Sequence, residues 1–268
     1  MNTLKIATIF TSLMNAKACV VWPLWLDPKD GLVRCLGAVS YRRPDDLKYE
    51  ESVFVPEMAY DKSHPFAFSA FGGLREKNQT IYDCAVAEVD EETAYLGIPN
   101  LRSKLESAPY LCRDLNGKIT DTYDPTEQYA SIVFFVRLDD IENLADRCTQ
   151  AAKMEYARVP TKEYPEEVLQ LRKRRIESMM YLECKFFEII DCVSSGILPV
   201  FELGSREIVN PSGFPEAARR VMLTPDVKAV PLMPRTALTL KVGAPYILKI
   251  LNNLFNFEND ENDENDDE

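Results

Sequence analysis

His64 is the only histidine of the chain, and a catalytic thiol would need it, or a helix N-terminus, to lower its pKa. That makes Cys84 and Cys112 the candidate nucleophiles and His64 their candidate base, although nothing in the spacing ties the three together. Phe66 and Phe68 follow His64 and precede Gly72-Gly73. Aromatic rings near a turn can stack exposed nucleic-acid bases, each contact worth about 1–3 kcal/mol, whereas alternating phenylalanines also suit the inner face of a sheet. The main cationic feature is Arg172-Lys173-Arg174-Arg175, with Arg219, Arg220 and Lys228 as possible neighbours. Four such cations on single-stranded phosphates would give a salt slope of about −3, but consecutive helix residues point around the circumference and cannot all line one groove.

The acidic candidates are weaker. Pro44-Asp45-Asp46-Leu47-Lys48 resembles the two halves of a restriction-type nuclease motif, but that family draws its halves from separate strands, and here they are adjacent, as in a polar turn. Asp90-Glu91-Glu92 and Asp139-Asp140 read as turn and cap residues. There is no Walker phosphate loop, dinucleotide glycine fingerprint or His-Glu-x-x-His, so the reading contains no cofactor and no metal.

The last eleven residues carry eight carboxylates, Glu258, Asp260, Glu261, Asp263, Glu264, Asp266, Asp267 and Glu268, and thus −8 of the formal net charge of −12. Such a segment is expected to be disordered, binding a basic partner or competing with nucleic acid for the chain's own cations. Acidic tail and aromatic-containing body together resemble phage single-stranded DNA-binding proteins, without their terminal aromatic or aliphatic anchor. The residues themselves point to a non-enzymatic intracellular accessory protein that binds nucleic acid, single-stranded above all, or a basic nucleic-acid-handling partner, with Arg172–Arg175 as the contact surface. The alternatives are a self-associating structural protein and an enzyme whose Cys/His site is invisible as a motif.

Seven cysteines without a C-x-x-C or zinc spacing point to reduced thiols and an intracellular, cytoplasmic or nuclear setting. Thr8, Thr11 and Ser12 interrupt the apolar stretch Ile6–Met14 and weaken a signal-peptide reading, and no stretch reaches the roughly 20 apolar residues that span a bilayer.

The elements that must position these residues form an α+β pattern with a division near residue 125: a mainly β region 1–125, an α+β region 126–257 and the tail 258–268. Alternating or apolar runs predict strands at Ala18–Leu26, Leu32–Tyr41, Val53–Val55, Phe66–Phe71, Ile81–Val89 and Ile132–Leu138, with helices over Leu4–Met14 and near Leu101–Leu105. Asp139 is read as the cap of a helix through Ile141, Leu144, Ala145 and Cys148. Pro165 then opens a predicted long helix over 165–194, whose stripe of Met179, Leu182, Phe186 and Ile189 suits a core or a homo-oligomer interface. Beyond it come a strand at Ile197–Leu203, a helix at Pro215–Met222, a strand at Ala237–Val242 and a final helix from Pro245.

Overall fold

The computed structural model describes residues 15–41, 66–139, 141–204, 208–209 and 228–257. The strands are β1 (Ala18–Leu26), β2 (Val33–Tyr41), β3 (Phe66–Ser69), β4 (Phe71–Leu74), β5 (Tyr110–Asp114), β6 (Ile119–Thr120), β7 (Tyr129–Arg137), β8 (Ser178–Lys185), β9 (Val200–Glu202) and β10 (Ala229–Pro231). The helices are α1 (Ile81–Glu92), α2 (Leu101–Ser107), α3 (Leu144–Ala157), α4 (Glu166–Arg175), α5 (Phe186–Ser194) and α6 (Pro234–Phe255). The fold class is α+β, as the sequence indicates. The predicted elements at Leu4–Met14, Val53–Val55 and Pro215–Met222 lie outside the described residues.

β1 and β2 form a hairpin because Asp27-Pro28-Lys29-Asp30-Gly31 can turn: Asp27 and Asp30 accept the amides of Lys29 and Leu32, and Gly31 takes a φ of +68°. The hairpin then splays. β2 meets the far end of β1 at Leu24–Leu26, while β3 pairs with β2 and β4 with β1, so one bent segment fills the gap. β7 lies parallel to β1 on its other edge, β5 and β6 extend that side, and β8 runs antiparallel along β2. Strands from both sides of residue 125 therefore share one sheet.

Both faces of the sheet are covered. Trp22, Leu24, Val133 and Phe135 point into a cluster with α5 and α6, whereas Cys19, Val21, Ile132 and Phe134 point into a second cluster with α1, α2 and α3. This is why β1 and β7 read as nearly continuous apolar runs.

Several predicted elements differ from the structure. Ile81–Val89 is not a strand but most of α1, started by a capping box in which Thr80 Oγ1 accepts the Asp83 amide and Asp83 Oδ2 accepts the Thr80 amide. The long helix over 165–194 is a helix, a strand and a helix. Ile176 leaves the helical region, and Met179 to Leu182 enter β8, which supplies hydrogen-bond partners to the outer edge of β2. Its three- and four-residue spacing survives only in α5, where Phe186, Ile189, Ile190 and Val193 are buried. The strand predicted at Ala237–Val242 belongs to α6, which begins at Pro234 and carries Pro245 in its interior. The helix expected from Asp139 begins instead at Leu144, after Asn143 with a φ of +52°. Among the described residues no helix is long and apolar enough to cross a membrane.

Candidate functional site

α1 presents Glu88, Glu91 and Glu92, spaced so that a helix turns all three toward the same side, beside the glycine pair of β4. The Gly72 amide donates to Glu92 Oε2 at 2.6 Å. At Gly73 an added Cβ would lie 2.3 Å from Glu88 Oε1, so the absence of a side chain on β4 makes room for that carboxylate. Burial pushes the Glu88 pKa up to about 7, and the charges of Glu91 and Glu177 push in the same direction. A carboxyl group that exchanges its proton near neutrality is suited to acid or base work.

A second element closes over this face. Arg175, the last residue of α4, pairs through Nη1 with Glu91 and lies 3.6 Å from Glu76 through Nη2. Ser178, the first residue of β8, donates its hydroxyl to the Glu92 carbonyl at 2.8 Å. Behind this contact, Arg172 reaches Glu155 at 2.5 Å and lies 3.5 Å above the Tyr95 ring. Glu155 is only 2% exposed and also pairs with Arg158 at 3.2 Å, which explains how a carboxylate is tolerated there.

Among the described residues, no group of three or more His, Cys, Asp or Glu side chains is placed so that it could hold a metal ion. Magnesium does not require such a group: it keeps several waters and is commonly held by one or two carboxylates plus substrate phosphates.

The residues singled out from sequence meet different fates. Arg172, Lys173, Arg174 and Arg175 are all on α4, but Arg172 and Arg175 hold acidic partners, Lys173 donates to the Arg158 carbonyl at 3.2 Å, and Arg174 is exposed. Phe66 and Phe68 are fully buried, Phe68 against Trp22 and Phe201, so these rings belong to the core and have no face to offer a base. Met179, Leu182, Phe186 and Ile189 are likewise buried within the chain, which corrects the expected homo-oligomer stripe: their apolar surface is consumed by the sheet and α6. His64, Arg219, Arg220 and the acidic residues from Glu258 to Glu268 lie outside the described residues. Cys112 is buried, and burial pushes its pKa up to about 12.

Glu88 was not singled out from the sequence, and Glu91 and Glu92, read there as turn residues, belong to the last turn of α1, because the expected strand over Ile81–Val89 ends before them. The signal that would have found them is the Thr80…Asp83 capping box ahead of Ile81, Cys84, Ala85 and Val89.

No described protein family and no curated protein matches the sequence. Among solved structures, the chain is similar to a mutT/nudix family protein from Listeria innocua, with 13% identity, a TM-score of 0.28, and coverage of 66% of this chain and 82% of that one. It is also similar to a T. brucei MERS1–RNA complex, with 11% identity, a TM-score of 0.30 and coverage of 64% of this chain; it spans about half, 52%, of that chain. Likeness at this level does not carry function.

Proposed function

We propose that one or two carboxylates of the Glu88–Glu91–Glu92 face of α1, Glu88 foremost, bind a hard divalent cation, Mg2+ or Mn2+, together with substrate phosphates, and that the site hydrolyses a phosphate ester or anhydride in a nucleotide or a nucleic-acid end. The observation that carries this reading is Glu88, a half-buried carboxyl seated against Gly73 with its pKa pushed up to about 7. In the ion-free protein a proton on Glu88 and the guanidinium of Arg175 offset the crowding of negative charge. An incoming cation would replace both, leaving Glu88 to hold the ion or accept a proton from the attacking water. The nucleotide class is favoured because Arg175 at the basic end of α4 adjoins the acidic face, so a phosphate chain held there would meet a released Arg175.

The test measures phosphate or nucleotide release from nucleoside di- and triphosphates, dinucleoside polyphosphates and 5′-triphosphorylated RNA with Mg2+ or Mn2+. Turnover should need the cation and drop by about 10²-fold or more in Glu88→Gln. Turnover that is untouched in Glu88→Gln, or none on the whole panel, rejects the reading.

A second reading keeps the chain non-enzymatic, binding single-stranded nucleic acid through α4 with the acidic tail as competitor or as a strip for a basic protein. The exposed Arg174 favours it. Here, truncation after Phe257 tightens single-strand binding at low salt and no substrate is turned over.

A further inference from the structure

We propose that Cys19 and Cys84 are a paired oxidation site that forms a disulfide joining β1 to α1. The sulfurs lie 3.4 Å apart, both residues are buried, and they belong to elements 65 positions apart in sequence that pack directly on one another. Closing to a bond length of about 2.05 Å requires a small approach of two side chains, not a rearrangement of the sheet. This site does not depend on the hydrolase reading.

The two thiols are unequal. Cys19 donates its hydrogen to Cys84, which keeps Cys19 protonated and holds the Cys84 pKa below its ordinary value against the opposing effect of burial. Cys84 lies in the first turns of α1; the charge of Glu88 works against the lowering, and the guanidinium of Arg75 adds to it. Cys84 is therefore the first nucleophile and Cys19 the resolving thiol. With hydrogen peroxide as oxidant, the Cys84 thiolate attacks one oxygen, the O–O bond breaks and hydroxide leaves, giving a sulfenic acid. Cys19 then attacks that sulfur, the S–O bond breaks and water leaves. The two thiols lose two electrons in total and the peroxide becomes two waters. Both sulfurs are buried, so the reaction requires a local opening of α1 to admit so small an oxidant, and its rate should follow that opening.

The experiment treats the full chain with graded peroxide, quenches, alkylates the unfolded protein and maps the cross-linked peptides under non-reducing conditions. The expected result is a peptide linking Cys19 to Cys84, formed ahead of other cysteine products and reversed by dithiothreitol. Amide exchange along α1 should slow by about tenfold or more in the oxidised protein. In Cys19→Ser the intermediate should persist as a dimedone-reactive Cys84. The proposal is overturned if both cysteines remain fully alkylatable at a dose that oxidises the other five, or if either one pairs chiefly with a different cysteine.

Discussion

Glu88 couples the chemistry of the site to pH. Its carboxyl holds a proton up to about pH 7, whereas in the unfolded chain it loses that proton near the ordinary value of 4.5. The folded state therefore binds the extra proton between those values, and the stability associated with it is lost as pH rises through the window and levels off above 7. Glu88→Gln should become progressively more stable than the natural protein from pH 5 to pH 8, by about 1 kcal/mol after discounting for partial solvent exposure. Chemical denaturation across that range checks this, and a difference that shrinks with pH contradicts it. Cation binding should weaken by up to about tenfold per pH unit below 7, since the ion must displace the proton. Arg172 makes a different kind of prediction. Removing it in Arg172→Ala leaves Glu155 with Arg158 alone in a nearly sealed position and should cost about 2–3 kcal/mol by the same measurement; an unchanged stability would contradict this.

At the scale of elements, the decisive unit is the segment from β4 through α1. An added Cβ at Gly72 would come within 2.2 Å of the Cys19 carbonyl, a backbone atom in β1 that cannot easily yield. Gly72→Ala should therefore destabilise the fold by more than about 2 kcal/mol, whereas the nearest atoms to a Cβ in Gly73→Ala all belong to the Glu88 carboxylate, which it should chiefly displace. The paired variants separate the two effects: cation affinity should fall in Gly73→Ala with a near-normal melting temperature. Just past α1, Ala94 has a φ of +55°, a left-handed conformation that costs an L-residue about 1 kcal/mol. Ala94→Gly should recover part of that strain, up to about 1 kcal/mol, visible as a rise in melting temperature. This segment was also the least legible in the sequence. Ile81–Val89 is short and apolar, and tertiary packing rather than local composition decides between strand and helix there. The same ambiguity affected Met179–Leu182, where an apolar run buried on both faces satisfies either period.

For the whole molecule, the α+β class and the strands Ala18–Leu26, Phe66–Ser69 and Tyr129–Arg137 were readable, because turn residues and alternation are local signals. The candidate site was not. Its parts come from β4, α1 and the end of α4, and its electrostatics depend on the contact of Arg175 with Glu91 across 84 residues. Charge segregation in the sequence pointed to the arginines of α4 as a surface for polyanions; the structure instead shows two of them, Arg172 and Arg175, engaged with carboxylates. The acidic tail can itself bind divalent cations weakly, so the central claim needs a variant control in the full chain. The most direct measurement is a calorimetric titration of the intact protein with Mn2+ at pH 7.5, set beside the Glu88→Gln/Glu92→Gln double variant. One site resolved above the weak background in the natural protein, and weakened by about tenfold or more in the variant, is the predicted result. Superimposable titrations of the two proteins would contradict it.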